Sequence, residues 1–150
     1  MRRRSGHPSA RDVDRTAEQL RDQAVDAKGA IRSGSGPDTL TKQTEAIEKE
    51  VNDVLRKIRG APATEASADD RQLEEPSIQE RVNSVASQIG NVTSPATQLQ
   101  RETLELAMAD LRRETARLNA LLAGRVPALN SGLDAAGIPW TIGRPINITR

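Results

Sequence analysis

The sequence predicts an all-α fold: two antiparallel helical hairpins forming a four-helix bundle, with a long, kinked last helix and an extended C-terminal tail. Three observations carry this expectation. Apolar residues recur at steps of four and three in four separate segments, the spacing that gathers them on one helix face. Gly and Pro punctuate the intervals between those segments. No segment shows the strict alternation of apolar and polar residues that a half-buried strand requires.

The first helix is expected from about Ala10 to Arg32, with the seam Val13, Ala17, Leu20, Ala24, Ala27 and Ile31. Ser9 is its N-cap, with Asp12 three residues on completing an acidic capping box. Gly34 and Gly36 end it and Pro37 opens the next. The second runs from about Asp38 to Arg59 on the seam Leu40, Thr44, Ile47, Val51, Val54 and Ile58, widened by Leu55, and stops at Gly60. The short Ser33–Pro37 connection makes residues 10–59 an antiparallel hairpin.

Residues 60–76 show no apolar period and read as a flexible acidic linker. A second hairpin is expected over 77–137. Its first helix opens on the capping box Ser77-Ile78-Gln79-Glu80, follows the seam Ile78, Val82, Val85 and Ile89, and ends near Gly90. Ser94 with Pro95 reads as the start of the long helix. The seam of that helix is Leu104, Met108, Leu111, Thr115, Leu118 and Leu122, and its phase continues through Val126, Leu129 and Leu133. Pro127 lacks an amide hydrogen and crowds the carbonyl four residues back, so one kinked helix is expected, ending at Gly137. Asn130, polar at the bend, is placed to satisfy backbone groups freed by the proline. Residues 138–150 read as an extended tail, with Trp140 folding back as an apolar plug and Ile142 as a second anchor.

Composition bounds the chemistry. The 150 residues contain no Cys, so disulfides, thiolate metal sites and cysteine nucleophiles are excluded. His7 is the only histidine, which leaves no Glu-x-x-His motif for a di-iron bundle and no histidine base within the expected helices. There is no Gly-x-Ser-x-Gly elbow, and the Gly34–Gly36 turn lacks the Lys of a phosphate loop. A net charge of +1, from 22 basic and 21 acidic residues, supplies no one-sided field for nucleic acid. Basic pairs such as Arg112-Arg113 and Arg56-Lys57 have acids beside them, and Glu45/Glu48 and Glu102/Glu105 read as solvated faces. Asn91-Val92-Thr93 and Asn147-Ile148-Thr149 match the short glycosylation sequon without further support.

No segment has the roughly 20 apolar residues of a membrane span. The basic start, residues 1–9, lacks the apolar stretch that would make it a secretory signal, and reads as a disordered tail. The core inventory is thin: 33 Val, Ile, Leu, Met and Trp residues against 20 Ala, and no Phe or Tyr. A chain so equipped is expected to be part of something larger.

The distinctive stretch is Val126-Pro127-Ala128-Leu129-Asn130-Ser131-Gly132-Leu133, followed by Ala136-Gly137-Ile138-Pro139-Trp140. With Arg81-Val82-Asn83 and the Pro95–Leu122 helix, it resembles the C-terminal helical region of bacterial sialidase-type β-propeller proteins. These carry Asp-box repeats and are often described as sortilin-like or glycosyl-hydrolase-like. The likeness covers about Glu75 to Arg144. The chain has no Ser-x-Asp-x-Gly-x-Thr-Trp box and no run of short strands, so any hydrolytic activity of that family belongs to the propeller. The resemblance implies a detached C-terminal module from an exported parent. The function expected is therefore non-enzymatic and without a cofactor: a structural or interaction module packing on a propeller or another protein. A free-standing coiled-coil homo-oligomer and a fragment of a glycosyl-hydrolase-like protein are the alternatives; neither nucleic acid nor membrane insertion is expected. The residues singled out are Leu104, Leu111, Leu118 and Leu122 for the core, and Pro127, Asn130, Gly137 and Trp140 for the terminal cap.

Overall fold

The computed structural model describes residues 9–61, 75–91, 93–146 and 148. The N-terminal basic segment before Ser9, most of the 60–76 linker, and parts of both sequons lie outside the described residues. Among those described, all regular structure is helical: α1 (Ala10–Ser33), α2 (Asp38–Arg59), α3 (Ile78–Gly90), α4 (Gln98–Ala120) and α5 (Val126–Ala135). A five-residue π turn, Leu121–Arg125, joins α4 to α5, so the last helix runs unbroken for 38 residues.

Helix starts follow from side chains that satisfy the orphan amides of the first turn. Ser9 Oγ accepts from Asp12 N at 3.3 Å while Asp12 accepts from Ser9 N at 2.8 Å. The Ser9 amide foremost, and the Ser9 hydroxyl donating to the same carboxylate oxygen at 2.7 Å, hold the Asp12 carboxyl below its usual range. Ser77 and Glu80 make the same reciprocal pair at α3. At α4 the start expected at Ser94-Pro95 is displaced. Thr97 is the N-cap, with Gln100 N donating to Thr97 Oγ1 at 3.2 Å and Thr97 N to Gln100 Oε1 at 2.9 Å. Ser94 has Thr97 three residues on, too short a side chain to reach back; Thr97 has Gln100, so the box forms there.

The inward faces of α1 and α2 are the residues named from their spacing: Val13, Ala17, Leu20, Ala24, Ala27 and Ile31 against Leu40, Thr44, Ile47, Val51, Val54, Leu55 and Ile58. Three alanines on α1 let the two backbones approach closely. The fully buried Thr44 hydroxyl is satisfied by donating to Leu40 O at 2.8 Å. The antiparallel register is marked at both ends by ion pairs. Lys28 Nζ lies 3.0 Å from Glu48 Oε2, and Arg59 binds Asp14 and, at 3.2 Å, Glu18. The Asp14 carboxylate raises the Arg59 pKa above its usual value.

The second hairpin closes on the first along α2, which packs against α1, α3, α4 and α5. One cluster contains Ile47, Val51 and Val54 from the first hairpin and Ile78, Leu111, Leu118, Leu129 and Leu133 from the second. Arg117 reaches Asp53 at 3.5 Å and Arg125 reaches Glu50 at 3.4 Å, which sets α4–α5 antiparallel to α2. In α3, Ile78 and Val82 join this cluster, whereas Val85 is buried outside it.

Two helix ends lock together. Gly137 (φ +67°) completes a Schellman motif at α5, with Ile138 N donating to Leu133 O at 3.0 Å and Gly137 N to Asp134 O at 3.1 Å. A second Schellman motif ends α1: Gly36 N donates to Ile31 O at 2.9 Å and Ser35 N to Arg32 O at 3.4 Å. The left-handed residue there is Ser35 (φ +51°) rather than either flanking glycine, because the chain must turn at the second position beyond Ser33. Gly36 is required for space instead. A Cβ on it would lie 2.8 Å from Ile138 Cδ1 and 3.0 Å from Ile31 Cγ2, so the α5 end plugs into the α1–α2 turn.

These two positions respond oppositely to substitution. Ser35→Gly removes an exposed left-handed Cβ and is expected to stabilise the chain by about 0.5–1 kcal/mol, read from the urea midpoint. Gly36→Ala is expected to destabilise it, by about 1–3 kcal/mol, through overpacking against Ile138. Equal effects at the two sites would contradict this account.

Candidate functional site

The C-terminal half holds all the residues singled out from the sequence. Leu111 and Leu118 are buried and Leu104 is half-buried. Leu122 is not a core residue: it is 39% exposed, and Leu121 takes the inward position. The observed seam is Ala107, Leu111, Glu114, Leu118 and Leu121, then Val126, Leu129 and Leu133. Met108, also read as inward, is exposed. The difference arises because α4 carries apolar residues on more than one side, so hydropathy alone selects a neighbouring stripe.

The π turn explains how phase is kept past Pro127. Val126 N donates to Leu121 O, five residues back, so one wide turn carries the seam from Leu121 to Val126. Proline can neither donate to the preceding turn nor fit tightly beneath it, and widening that turn accommodates both defects. Pro127 then sits in the first turn of α5. Asn130 is half-buried beside a small void of about 20 Å³, lined also by Leu20, Ala24 and Leu133.

Trp140 does not plug the core. It is 52% exposed, and Ile142 is exposed as well. Ile138 is the buried apolar anchor, because the Schellman geometry turns the residue after Gly137 back onto Leu133. Trp140 Nε1 instead donates to Arg144 O at 3.1 Å. The tail's second anchor is Arg144, which sequence reasoning missed. Only 7% exposed, it donates to Pro139 O at 2.7 Å and Ile138 O at 3.2 Å and pairs with Asp134. Nothing local in the sequence distinguishes this arginine from its solvated neighbours.

Glu114 is a second buried charge missed in the sequence. It lies in the α4 seam between Leu111 and Leu118, with Oε2 accepting no hydrogen bond and Arg117 Nη1 at 3.6 Å. It borders a cleft of about 320 Å³ where the end of α2 meets the start of α3. Arg56, Lys57 and Arg113 line the same cleft, and Arg81 pairs there with Asp110 at 2.7 Å. The charges are mixed, so the cleft imposes no single sign on a ligand. Among the described residues no group of His, Asp and Glu is arranged to hold a metal ion, and no helix is long and apolar enough to cross a membrane.

The largest departure from a closed bundle is on α4. Leu99 is 72% and Leu106 64% exposed, seven residues apart and therefore on one helix face. Met108 and Leu122 lie exposed on the other side of the buried seam. Fold and surface together define a helical bundle in which α4 keeps large apolar side chains exposed. Compared with known proteins, the chain matches no family model, no curated protein and no solved structure.

The carboxylate in the seam is a measurable burden. Glu114→Leu is expected to raise stability by about 1 kcal/mol in urea unfolding, since a buried charge with imperfect partners is replaced by apolar packing. A loss of stability would show instead that the Glu114–Arg117 pair holds α4 in place.

Proposed function

We propose that this chain is a non-enzymatic helical module that docks on a protein partner through the uncovered faces of α4. The observation that carries the reading is the exposure of Leu99 and Leu106 on a helix whose adjoining face is already buried in the bundle. Exposed leucines repeated on one helix face offer apolar surface that a partner can cover. Charge supports the same reading, because basic and acidic residues are nearly balanced and interspersed along the chain and favour no polyanion. The resemblance of the C-terminal half to the helical region of β-propeller proteins suggests a propeller domain as that partner. Pairing of two copies through the same face is the competing arrangement.

A photo-crosslinking amino acid at position 106, compared with one at the exposed Arg11 of α1, tests the proposal when the chain is produced in its native cells. A discrete adduct from position 106 alone, lost when Leu99→Glu is added, is expected. Sedimentation velocity over a hundredfold concentration range separates a foreign partner from a second copy. Leu99 and Leu106 are exposed, so either changed to Glu is expected to alter folding stability by no more than about 0.5 kcal/mol. Equal crosslinking from both positions, with a monomer throughout, would overturn the reading.

A further inference from the structure

We infer that residues 139–146 form a releasable strap that spans from the end of α5 to α1, latched by the Arg144 guanidinium. The inference stands on the tail's own geometry and does not depend on the docking role of α4.

The strap is held at two points of different chemistry. Ile138, just before it, is buried in the main cluster and stays with the body of the protein. Beyond it, Trp140, Ile142 and Ile146 are exposed, so the apolar side chains contribute little to holding the segment down. Arg144 is the exception. Its guanidinium binds the carbonyls of Ile138 and Pro139 and the Asp134 carboxylate, all at the C-terminal end of α5. A cation at a helix C-terminus is favoured by the helix dipole. The Arg144 Nε is nonetheless buried without a hydrogen-bond partner, a desolvation cost that offsets part of the gain. Closure is thus carried by one polar cluster with an internal penalty, the arrangement expected of a segment that opens before the rest unfolds.

The far side of the strap touches α1. Gly143 adopts φ +94°, a backbone conformation that strains any side chain, and a Cβ there would also press on the Gln23 side chain. The turn from Thr141 to Arg144, closed by Arg144 N donating to Thr141 O at 3.2 Å, therefore fits only with glycine at that place. Between the strap and the body lies a void of about 20 Å³, lined by Leu20, Ala24 and Ala27 of α1, Ile47 of α2, and Leu129 and Leu133 of α5.

Trp140 reports on the strap directly, because it is the only tryptophan and its Nε1 hydrogen bond ends on Arg144. The experiment follows Trp140 fluorescence and helical circular dichroism together on heating, in the full chain and in Asp134→Asn, Gly143→Ala and Ile138→Ala. The fluorescence transition is expected to precede loss of helicity in the unaltered chain. Asp134→Asn and Gly143→Ala are expected to move it further down while leaving the helicity midpoint nearly in place. Ile138→Ala, which removes the fixed anchor, lowers the helicity midpoint itself. Coincident transitions in every chain would overturn the inference, and so would a separate fluorescence transition that Asp134→Asn leaves unmoved.

Discussion

The structure depends on α2 being buried along one continuous stripe. With no Phe or Tyr, the core rests on Val, Ile and Leu side chains, each worth about 1.5–3 kcal/mol when buried, and on smaller alanines, so many must converge on one axis. Leu40 through Ile58 provide that axis. Both hairpins press against it, α1 through small alanines and α4–α5 through leucines. The ion pairs from Lys28, Arg59, Arg117 and Arg125 ring this stripe. They stand at the edges of the helix contacts, where partly solvated charges select register more than they add stability. The two hairpins are one packed body because they share α2, and the short α1–α2 turn and the α5 end close the same end of it.

That shared end shows how backbone needs and packing needs coincide. Each Schellman motif satisfies its own helix's last carbonyls, and the α5 motif places Ile138 where Gly34 and Gly36 of the α1–α2 turn leave room for it. Ile138 follows the left-handed Gly137 and settles against Ile31 and the small residues of the α1–α2 turn. Replacing Gly36 therefore affects α5, and replacing Ile138 affects α1. The tail beyond Ile138 has no comparable apolar support and relies on Arg144.

Legibility in the sequence varied with how one-sided each helix is. In α1 and α2 almost every large aliphatic lies on one stripe, and the 4-3 spacing named the buried face residue by residue; Val25, exposed on α1, is outside it. In α4 apolar residues occur around much of the circumference, so spacing admitted both Leu122 and Leu121. Only the neighbouring helix decides between them. The π turn added a second ambiguity. A five-residue step from Leu121 to Val126 cannot be told from a four-residue step starting at Leu122 without knowing that the turn widens before Pro127. Capping boxes were legible where Ser and an acid stood three apart, while Thr97 with Gln100 was passed over for the more familiar Ser-Pro start. Arg144 and Glu114 were beyond sequence reasoning because their burial is set by segments far along the chain or by tertiary packing.

The failures on α4 and in the tail share a physical origin that bears on function. A helix that folds only against its own chain can confine its aliphatics to one face, as α2 does. Retaining Leu99 and Leu106 in water forgoes the apolar burial that the same residues would contribute if turned inward, and it invites nonspecific association. Glu114 shows the complementary compromise, a carboxylate where a leucine would pack. Both features leave α4 less committed to its own bundle than α2. In the proposed docking role, Leu99 and Leu106 would gain in a contact with another molecule the burial they lack in the bundle.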